Sequence, residues 1–365
     1  MDNVSDRKKG NHLKSEDAKF RKKKVTLKEV AEAAGVSVAT VSMVLNGNAN
    51  MRAGEKTKQH VIEIAQKLNY HPNINAQILR GKTSSIVGLI VPDVTNPVYP
   101  EMVRGVMDEA AKLGYHVILS NSDNIVEREE FFFSTLQSIN AAGVIVSGVS
   151  IGVDKENQLI ERMYAQHTPV VLMDRLSDTV PSVVSENKKG AYSAITHLIG
   201  AGHRHIAILV HYMDLWIMQE RYQGYRDALT DNGIPADERL LFSVKHVTQD
   251  EMVKLIKKIV KIKPEVSAIF VASGDATAIQ LISAANECGV HIPDDLSVIG
   301  YDDIEYAKML SPPLATVWQP KHEMGVVSMQ ILDAMIQREK TVQRTTVLTT
   351  QFIGRASVKN LQKEP

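Results

Sequence analysis

Apolar positions along the chain follow two different grammars. In the stretch VTLKEVAEAAGVSVATVSMVLN, from Val25 to Asn46, they recur every three or four residues. That spacing places Leu27, Val30, Ala31 and Ala34 on one face of a short helix. Gly35 supplies a left-handed position that stops it, and Ser37 is a good N-cap for a second helix. The second helix buries Val41, Val44 and Leu45 and turns Val38, Ala39, Thr40 and Met43 elsewhere. A third pattern, with Val61, Ile62, Ala65 and Leu68 inward, completes a small core before His71-Pro72-Asn73 breaks it. Two short helices around a turn containing Gly are the helix-turn-helix signature, whose second helix reads a DNA major groove. Similar helix pairs also occur in all-α domains with no DNA role, so the rest of the chain has to decide.

From Ser85 onward the pattern changes to β-rich apolar runs alternating with helical ones. Strands are expected at Ile86–Val91, His116–Ser120, Val144–Ser147 and Val170–Met173, with helices near Tyr99–Leu113, Glu127–Ile139 and Lys155–Ala165. A second series has strands at Ile206–Val210, Leu240–Val244, Ala268–Ala272 and Ser297–Gly300. Its helices lie near Gly190–Gly200, Gln219–Asn232, Asp250–Lys261 and Ala276–Cys288. Runs apolar on both faces and separated by helices mean a parallel sheet covered by helices, here twice over. The predicted fold is α/β, a helix-turn-helix head followed by a two-lobed core with two parallel sheets. Ligands of open sheets bind at the carboxyl ends of the strands. Those ends carry Pro92-Asp93, Asn121-Ser122-Asp123, Asp174-Arg175, Ser273-Gly274-Asp275 and Asp302-Asp303. Any one of them is an ordinary turn or cap; the set points to a polar, hydroxyl-rich ligand between the lobes.

Charge sharpens this division. The net charge is zero, yet residues 1–84 hold 16 Lys and Arg against 8 Asp and Glu, leaving 26 against 34 for the remainder. A basic N-terminal segment on an acidic body fits a polyanion-binding head on a soluble core. Residues 1–24, with Arg7-Lys8-Lys9 and Arg21-Lys22-Lys23-Lys24, read as a disordered basic arm, either a phosphate-contacting or a solubilising one. No long apolar run and no signal peptide is present, so a cytoplasmic location and no membrane contact are expected. Cys288 is the only cysteine, which excludes an internal disulfide and a cysteine-based zinc site. No metal and no cofactor are expected.

The segments VTLKEVAEAAGVSVATVSMVLNG, LNYHPN, IVGLIVPDVTNPVYPEMVRGV, PVVLMDR, HLIGAGHRHIA, ERYQGYRDAL, IPDDLSVIGYDDI and SPPLATVWQPKHEMG stand in one order and spacing. Through them the chain resembles the LacI/GalR family of bacterial repressors over nearly all of residues 25–357. The resemblance implies a periplasmic-binding-protein-like core and a homodimer on a pseudo-palindromic operator. It implies a disordered arm at 1–24, a DNA-binding domain at 25–72, a hinge helix and linker at 73–84, a core at 85–358 and a tail at 359–365. Thr26 and Thr40 match positions that cap helices and touch phosphates, with Ser37, Ser42 and Asn46 among the DNA contacts. Val38, Ala39 and Met43 match base-reading positions. Tyr70, Asn73 and Ala76 match contacts after the third helix, and Leu79 matches a hinge leucine that wedges into the minor groove. Many members carry Arg or His where Met43 stands; Met offers only apolar contact, for instance to a thymine methyl.

In the core, Asp93, Asn96, Tyr99, Asp123, Asp174, Arg221 and Asp302 fall on effector positions. Asp174 and Asp302 accept from ligand hydroxyls, Arg221 donates, and Tyr99 and Trp318 offer flat faces. Gly274 replaces an amide usual in the family. The implied function is a repressor of carbohydrate-utilisation genes, switched by a small polar effector, a hexose or disaccharide, with purines as the family's other effector class. Two rivals remain. A secreted sugar-binding protein would begin with a signal peptide. A hydrolase is suggested by Gly148-Val149-Ser150-Ile151-Gly152, a G-x-S-x-G match with Asp302 and His322 as formal partners, but such short motifs match by chance. His203 and His205 read as structural. No enzyme is expected.

Overall fold

Helices of eight residues are marginal alone in water, so the N-terminal elements depend on one another. The computed structural model describes residues 25–45, 54–70, 84–148, 160–165, 167–244, 246–262, 264–339 and 343–362. Its contacts divide the chain into two units, Met1–Thr83 and Ser84–Pro365. In the first, α1 (Leu27–Ala34) and α2 (Val38–Leu45) pack with α3 (Glu55–Lys67). Thr26 caps α1 in a reciprocal box, its N–H donating to Glu29 Oε2 at 2.7 Å while its Oγ1 accepts from the Glu29 N–H at 3.3 Å. Gly35 ends the helix at φ +64°, and its N–H reaches back to the Ala31 and Glu32 carbonyls. Val30, Ala31, Ala34, Val41, Val61 and Ala65 form the core, with Leu27, Val44, Leu45, Ile64, Leu68 and Tyr70 against it.

One sequence expectation needs correcting here. Ile62 is exposed at 37%, and Ile64 takes the inward place. Positions 61, 64, 65 and 68 follow the three-and-four spacing of one helix face, whereas 62 lies about 100° away from 61. The expected basic arm, the hinge helix, and the candidates Asn46, Asn73, Ala76 and Leu79 lie outside the described residues.

The second unit holds two lobes. The chain lays down β1 (Ile86–Val91), α4 (Tyr99–Leu113), β2 (His116–Asn121), α5 (Val126–Ser138), β3 (Gly143–Ser147), β4 (Val170–Met173) and β5 (Ser182–Ser185). It then crosses to the second lobe as α6 (Asn187–Gly200), β6 (Ile206–His211), α7 (Trp216–Asp231), β7 (Leu241–Val244) and α8 (Gln249–Ile259). That lobe continues with β8 (Ala268–Val271), α9 (Asp275–Glu287), β9 (Ser297–Ile299) and β10 (Thr316–Trp318). Next, α10 (Lys321–Ile336) and β11 (Thr345–Leu348) return to the first lobe, and β12 (Gln351–Ile353) pairs antiparallel with β10.

The first sheet runs β11-β5-β4-β3-β1-β2 and the second β7-β6-β8-β9, parallel throughout. Strands β3, β4, β5, β8 and β9 are buried at every residue, as strands covered on both faces must be. Two apolar clusters cover the first sheet and two the second. The alternation therefore matches the sequence reading, while β5, α10 and the last three strands were not anticipated. They are the pieces that make the chain cross between lobes three times, near residues 186, 320 and 350.

Val41 is fully buried in the head's small core, so Val41→Ala should cost roughly 2 kcal/mol by removing two methyl groups that nothing can replace. A urea melt of the whole protein followed by circular dichroism should show the head's helical signal lost at lower denaturant. An unchanged melt would contradict this packing.

Candidate functional site

Short helices that bury one side leave the other for a partner. In α2 the Ser37 side chain supplies the cap, with the Thr40 N–H donating to its Oγ at 3.1 Å and the two hydroxyls 2.9 Å apart. Val38, Ala39 and Met43 are exposed beyond this cap, Val38 by 42% and Met43 by 38%. Apolar side chains left in water on a helix whose other face is packed form a surface open to apolar contacts. Thr26 lies exposed at the start of α1, Ser42 is half-buried, and Tyr70 packs on the core with its N–H on the Ala65 carbonyl at 2.9 Å.

The cleft of the second unit is built at strand ends. Asp174 follows β4 at φ +58° and is 7% exposed, with Oδ1 bonded to nothing among the described residues. Burial pushes its carboxyl up to about 6, opposed by Arg221 and assisted by Asp302. From the other lobe, Arg221 rises from α7, 3% exposed. Its Nε donates to Asn187 Oδ1 at 2.8 Å and its Nη1 to the Ala272 carbonyl at 2.7 Å. The guanidinium lies over the Tyr301 ring, 3.6 Å from its centroid.

Asp302 follows β9 at φ +106°, and its Oδ1 accepts from Gln319 Nε2 at 2.6 Å. Burial raises its carboxyl, with Arg221 and Lys321 holding it down. Tyr99, at the head of α4, is raised by burial and then by Asp174, Asp302 and Asp93, with Arg221 opposing. One hydroxyl is thus influenced by acids from both lobes, Asp93 and Asp174 from the first and Asp302 from the second, with Arg221 opposing. Gly274, the N-cap of α9, joins them: a Cβ built there would stand 2.4 Å from Asp302 Oδ2.

Three expected residues stand apart from this group. Asp123 is half-exposed, paired with Arg128 and bonded by Asn121 Nδ2. The Asn96 side chain is used locally, its Oδ1 accepting from the Val98 N–H at 3.2 Å. Trp318 is half-buried and bridges Asp302 through backbone alone. Meanwhile the structure adds residues to the expected effector set. Asn187 orients Arg221, and its own Nδ2 is tied to the Ser185 carbonyl at 3.2 Å. Lys321, only 2% exposed, donates to the Asp302 and Asp303 carbonyls and pairs with Glu101 at 3.1 Å. A cavity of about 430 Å³ is lined from both lobes by Leu172, Arg175, Leu176, Asp214, Trp216 and Gln219 among others, and Asp93, Tyr99, Asp174, Arg221 and Asp302 are not in that lining. Its size suits a sugar-sized molecule. Only the strand-end position of Arg175 and the amphipathic turn before Arg221 hint at this lining in the sequence.

Catalytic chemistry has no support in these contacts. His322 Nε2 lies 3.2 Å from Asp108 Oδ2 on an exposed face, while the Asp302 carboxylate is held by Gln319. The acid and the histidine of the hydrolase reading are not joined, and Val149 to Gly152 lie outside the described residues. His203 is structural as expected, its two ring nitrogens bonded to Ser267 Oγ at 2.8 Å and the Lys359 carbonyl at 3.0 Å.

Comparison with known proteins agrees with this geometry. Residues 26–73 match the family described as bacterial regulatory proteins, lacI family, and residues 195–358 match a periplasmic binding protein-like domain. The chain is 30% identical to the HTH-type transcriptional regulator DegA of Bacillus subtilis, across 93% of this chain and 99% of that protein. It is 32% identical to the ribose operon repressor of the same organism, across 92% and 98%. The lac repressor dimer bound to operator and the anti-inducer ONPF superposes with a TM-score of 0.81 at 27% identity, covering 92% of this chain and all of that one. The chain belongs to the lacI family of bacterial regulatory proteins, and its work is transcriptional regulation rather than catalysis.

Proposed function

We propose that the protein represses carbohydrate-utilisation genes and that a sugar bound between its lobes switches operator affinity. The observation that carries this is that Asp174, Asp302 and Arg221 are all buried and act on one another electrostatically, acceptors and a planar donor of the kind that hydroxyls need. A ribose operon repressor and a PurR repressor stand among its relatives at the same 32% identity, so the choice of a sugar over a purine rests on the acids and Arg221. In this reading residues 25–72 bind DNA, 73–84 form the hinge, 85–358 the core and 359–365 a tail, with the arm at 1–24 preceding them. Val38, Ala39 and Met43 read bases, Thr26, Ser37, Thr40, Ser42, Asn46, Tyr70, Asn73 and Ala76 support the contact, and Leu79 wedges the minor groove. Asp93, Asn96, Tyr99, Asp123, Gly274 and Trp318 complete the effector site.

The protein acts in the cytoplasm as a homodimer. Strand β2 is the edge of its sheet and exposes Ile118 and Leu119, with Met107 and Leu113 of α4 also exposed. An apolar open edge of this kind is a surface for a second copy. Effector binding changes the angle between lobes, which changes the spacing of the two hinge segments and so the stability of their DNA-bound form.

Selection of an operator from random DNA, followed by titration with a sugar panel, tests the proposal. At least one sugar should shift operator affinity fivefold or more, within the usual range of allosteric coupling. Asp302→Ala should remove the shift and keep operator binding; a panel that binds yet shifts nothing would sink the switch. Leu79→Ala should weaken operator binding at least tenfold and leave sugar affinity intact, with DNA bending reduced in parallel. Unaltered bending would refute the wedge.

The pH dependence has a definite sign. With its carboxyl held at about 6, Asp174 in the ligand-free protein is mostly protonated at pH 5 and ionised above pH 7. Hydroxyl donors prefer the ionised form, so sugar affinity should rise roughly tenfold from pH 5 to pH 7 and then level off. Calorimetry on the wild type and Asp174→Asn checks this, since the variant should lose the rise.

A further inference from the structure

We propose that the cleft accepts an uncharged polyhydroxy ligand and rejects its anionic derivatives, sugar phosphates and sugar acids alike. This rests on the sugar reading and narrows it.

The argument begins with which charges are free. Three carboxyl groups, Asp93, Asp174 and Asp302, act electrostatically on Tyr99, opposed by the guanidinium of Arg221. That guanidinium is already committed to Asn187 Oδ1 and the Ala272 carbonyl and stacked on Tyr301. Of the other buried cations, Lys321 is held by the Asp302 and Asp303 carbonyls and neutralised by Glu101, and Arg175, which follows Asp174, already has a partner of its own. No cation in this group is left as an unshared partner for a phosphate, which needs several donors at once.

The second observation concerns the place where an anion would ordinarily be welcome. A helix N-terminus favours negative charge, and α9 points its own at the cleft through Gly274. The protein has filled that position itself. Asp302 Oδ2 sits so near Gly274 that a Cβ there would be 2.4 Å away, and Gly274 holds φ +106°, a backbone few other residues adopt. Glycine here makes room for a carboxylate.

Acceptors therefore outnumber donors. Asp174 Oδ1, buried and unbonded among the described residues, is one such acceptor waiting for a hydroxyl. Polyol hydroxyls donate to carboxylates and leave the net charge of the cleft unchanged. A phosphate adds like charge to a desolvated group that already has too much.

The test uses calorimetric titration of the full-length protein with matched pairs: ribose and ribose 5-phosphate, glucose and glucose 6-phosphate, glucose and gluconate, adenosine and its monophosphate. Whichever skeleton binds, its anionic twin should bind at least 100-fold more weakly, about 2.7 kcal/mol. A twin that binds as well or better overturns the charge rule and leaves the sugar reading intact. Adenosine binding with no sugar binding overturns the sugar reading, and the monophosphate then decides the charge rule separately. A panel in which no compound binds overturns both.

Discussion

Everything in the core depends on how three chain crossings are tied together. At the first, the Ser185 hydroxyl donates to Gln319 Oε1 at 2.6 Å, joining it to the second. The third is joined to the first by the Glu186 N–H on the Leu348 carbonyl at 2.9 Å and by Thr350 Oγ1 on the Glu186 carbonyl at 3.3 Å. Gln319 then spends its amide nitrogen on Asp302. Ser185 and Gln319 are almost wholly buried, where an unmatched polar group costs one to several kcal/mol, so the set holds together or fails together. With three covalent crossings the lobes cannot part; they can only turn about this bundle. A ligand that grips Asp302 pulls on a side chain already bonded to the pivot.

The same bundle explains why Arg221 is so firmly placed. Asn187 begins α6 just after the first crossing, so the amide that orients the guanidinium moves with the pivot. Asp174 belongs to the other lobe, and its charge is eased by Arg221 across the cleft. Rotation of the lobes changes that separation, and Coulomb energy between buried charges is steep in distance. In the proposed switch, ligand and lobe angle are coupled through groups that need no ligand to be in position.

Much of this is legible in the sequence, for a physical reason. Runs such as IVGLIV and the helical face of Val30, Ala31 and Ala34 bury themselves by periodicity alone, so local pattern suffices. Strands β5 and β10, SVVS and TVW, are short and begin or end on polar residues, so they lack the continuous apolar run that makes the equally short β4, VVLM, legible. Ile62 misled because an apolar residue next to a buried one can fall on either side of the buried face, and only the packed partner shows that the face runs through 61, 64, 65 and 68. In the cleft, the acids announce themselves at strand ends. Asn187 and Lys321 do not, because their value lies in contacts made across 34 and 19 residues of chain, which no local pattern records.

Strain completes the account of the site. Asp123, Asn124, Asp174, Tyr212, Asp302 and Asp303 all hold positive φ just beyond the carboxyl ends of strands. Such conformations each cost on the order of 1 kcal/mol or more and persist only where surrounding structure over-determines them. At Asp302 the restraints are visible: its N–H is bonded to the Val317 carbonyl at 2.8 Å, its own carbonyl is held by Lys321, and Asp303 is clamped by Arg355 at 2.6 Å. The sheets thus spend stability to hold acids where free chains would not put them. Acids so fixed lose little entropy when a ligand arrives, which leaves more of the contact energy for turning the lobes.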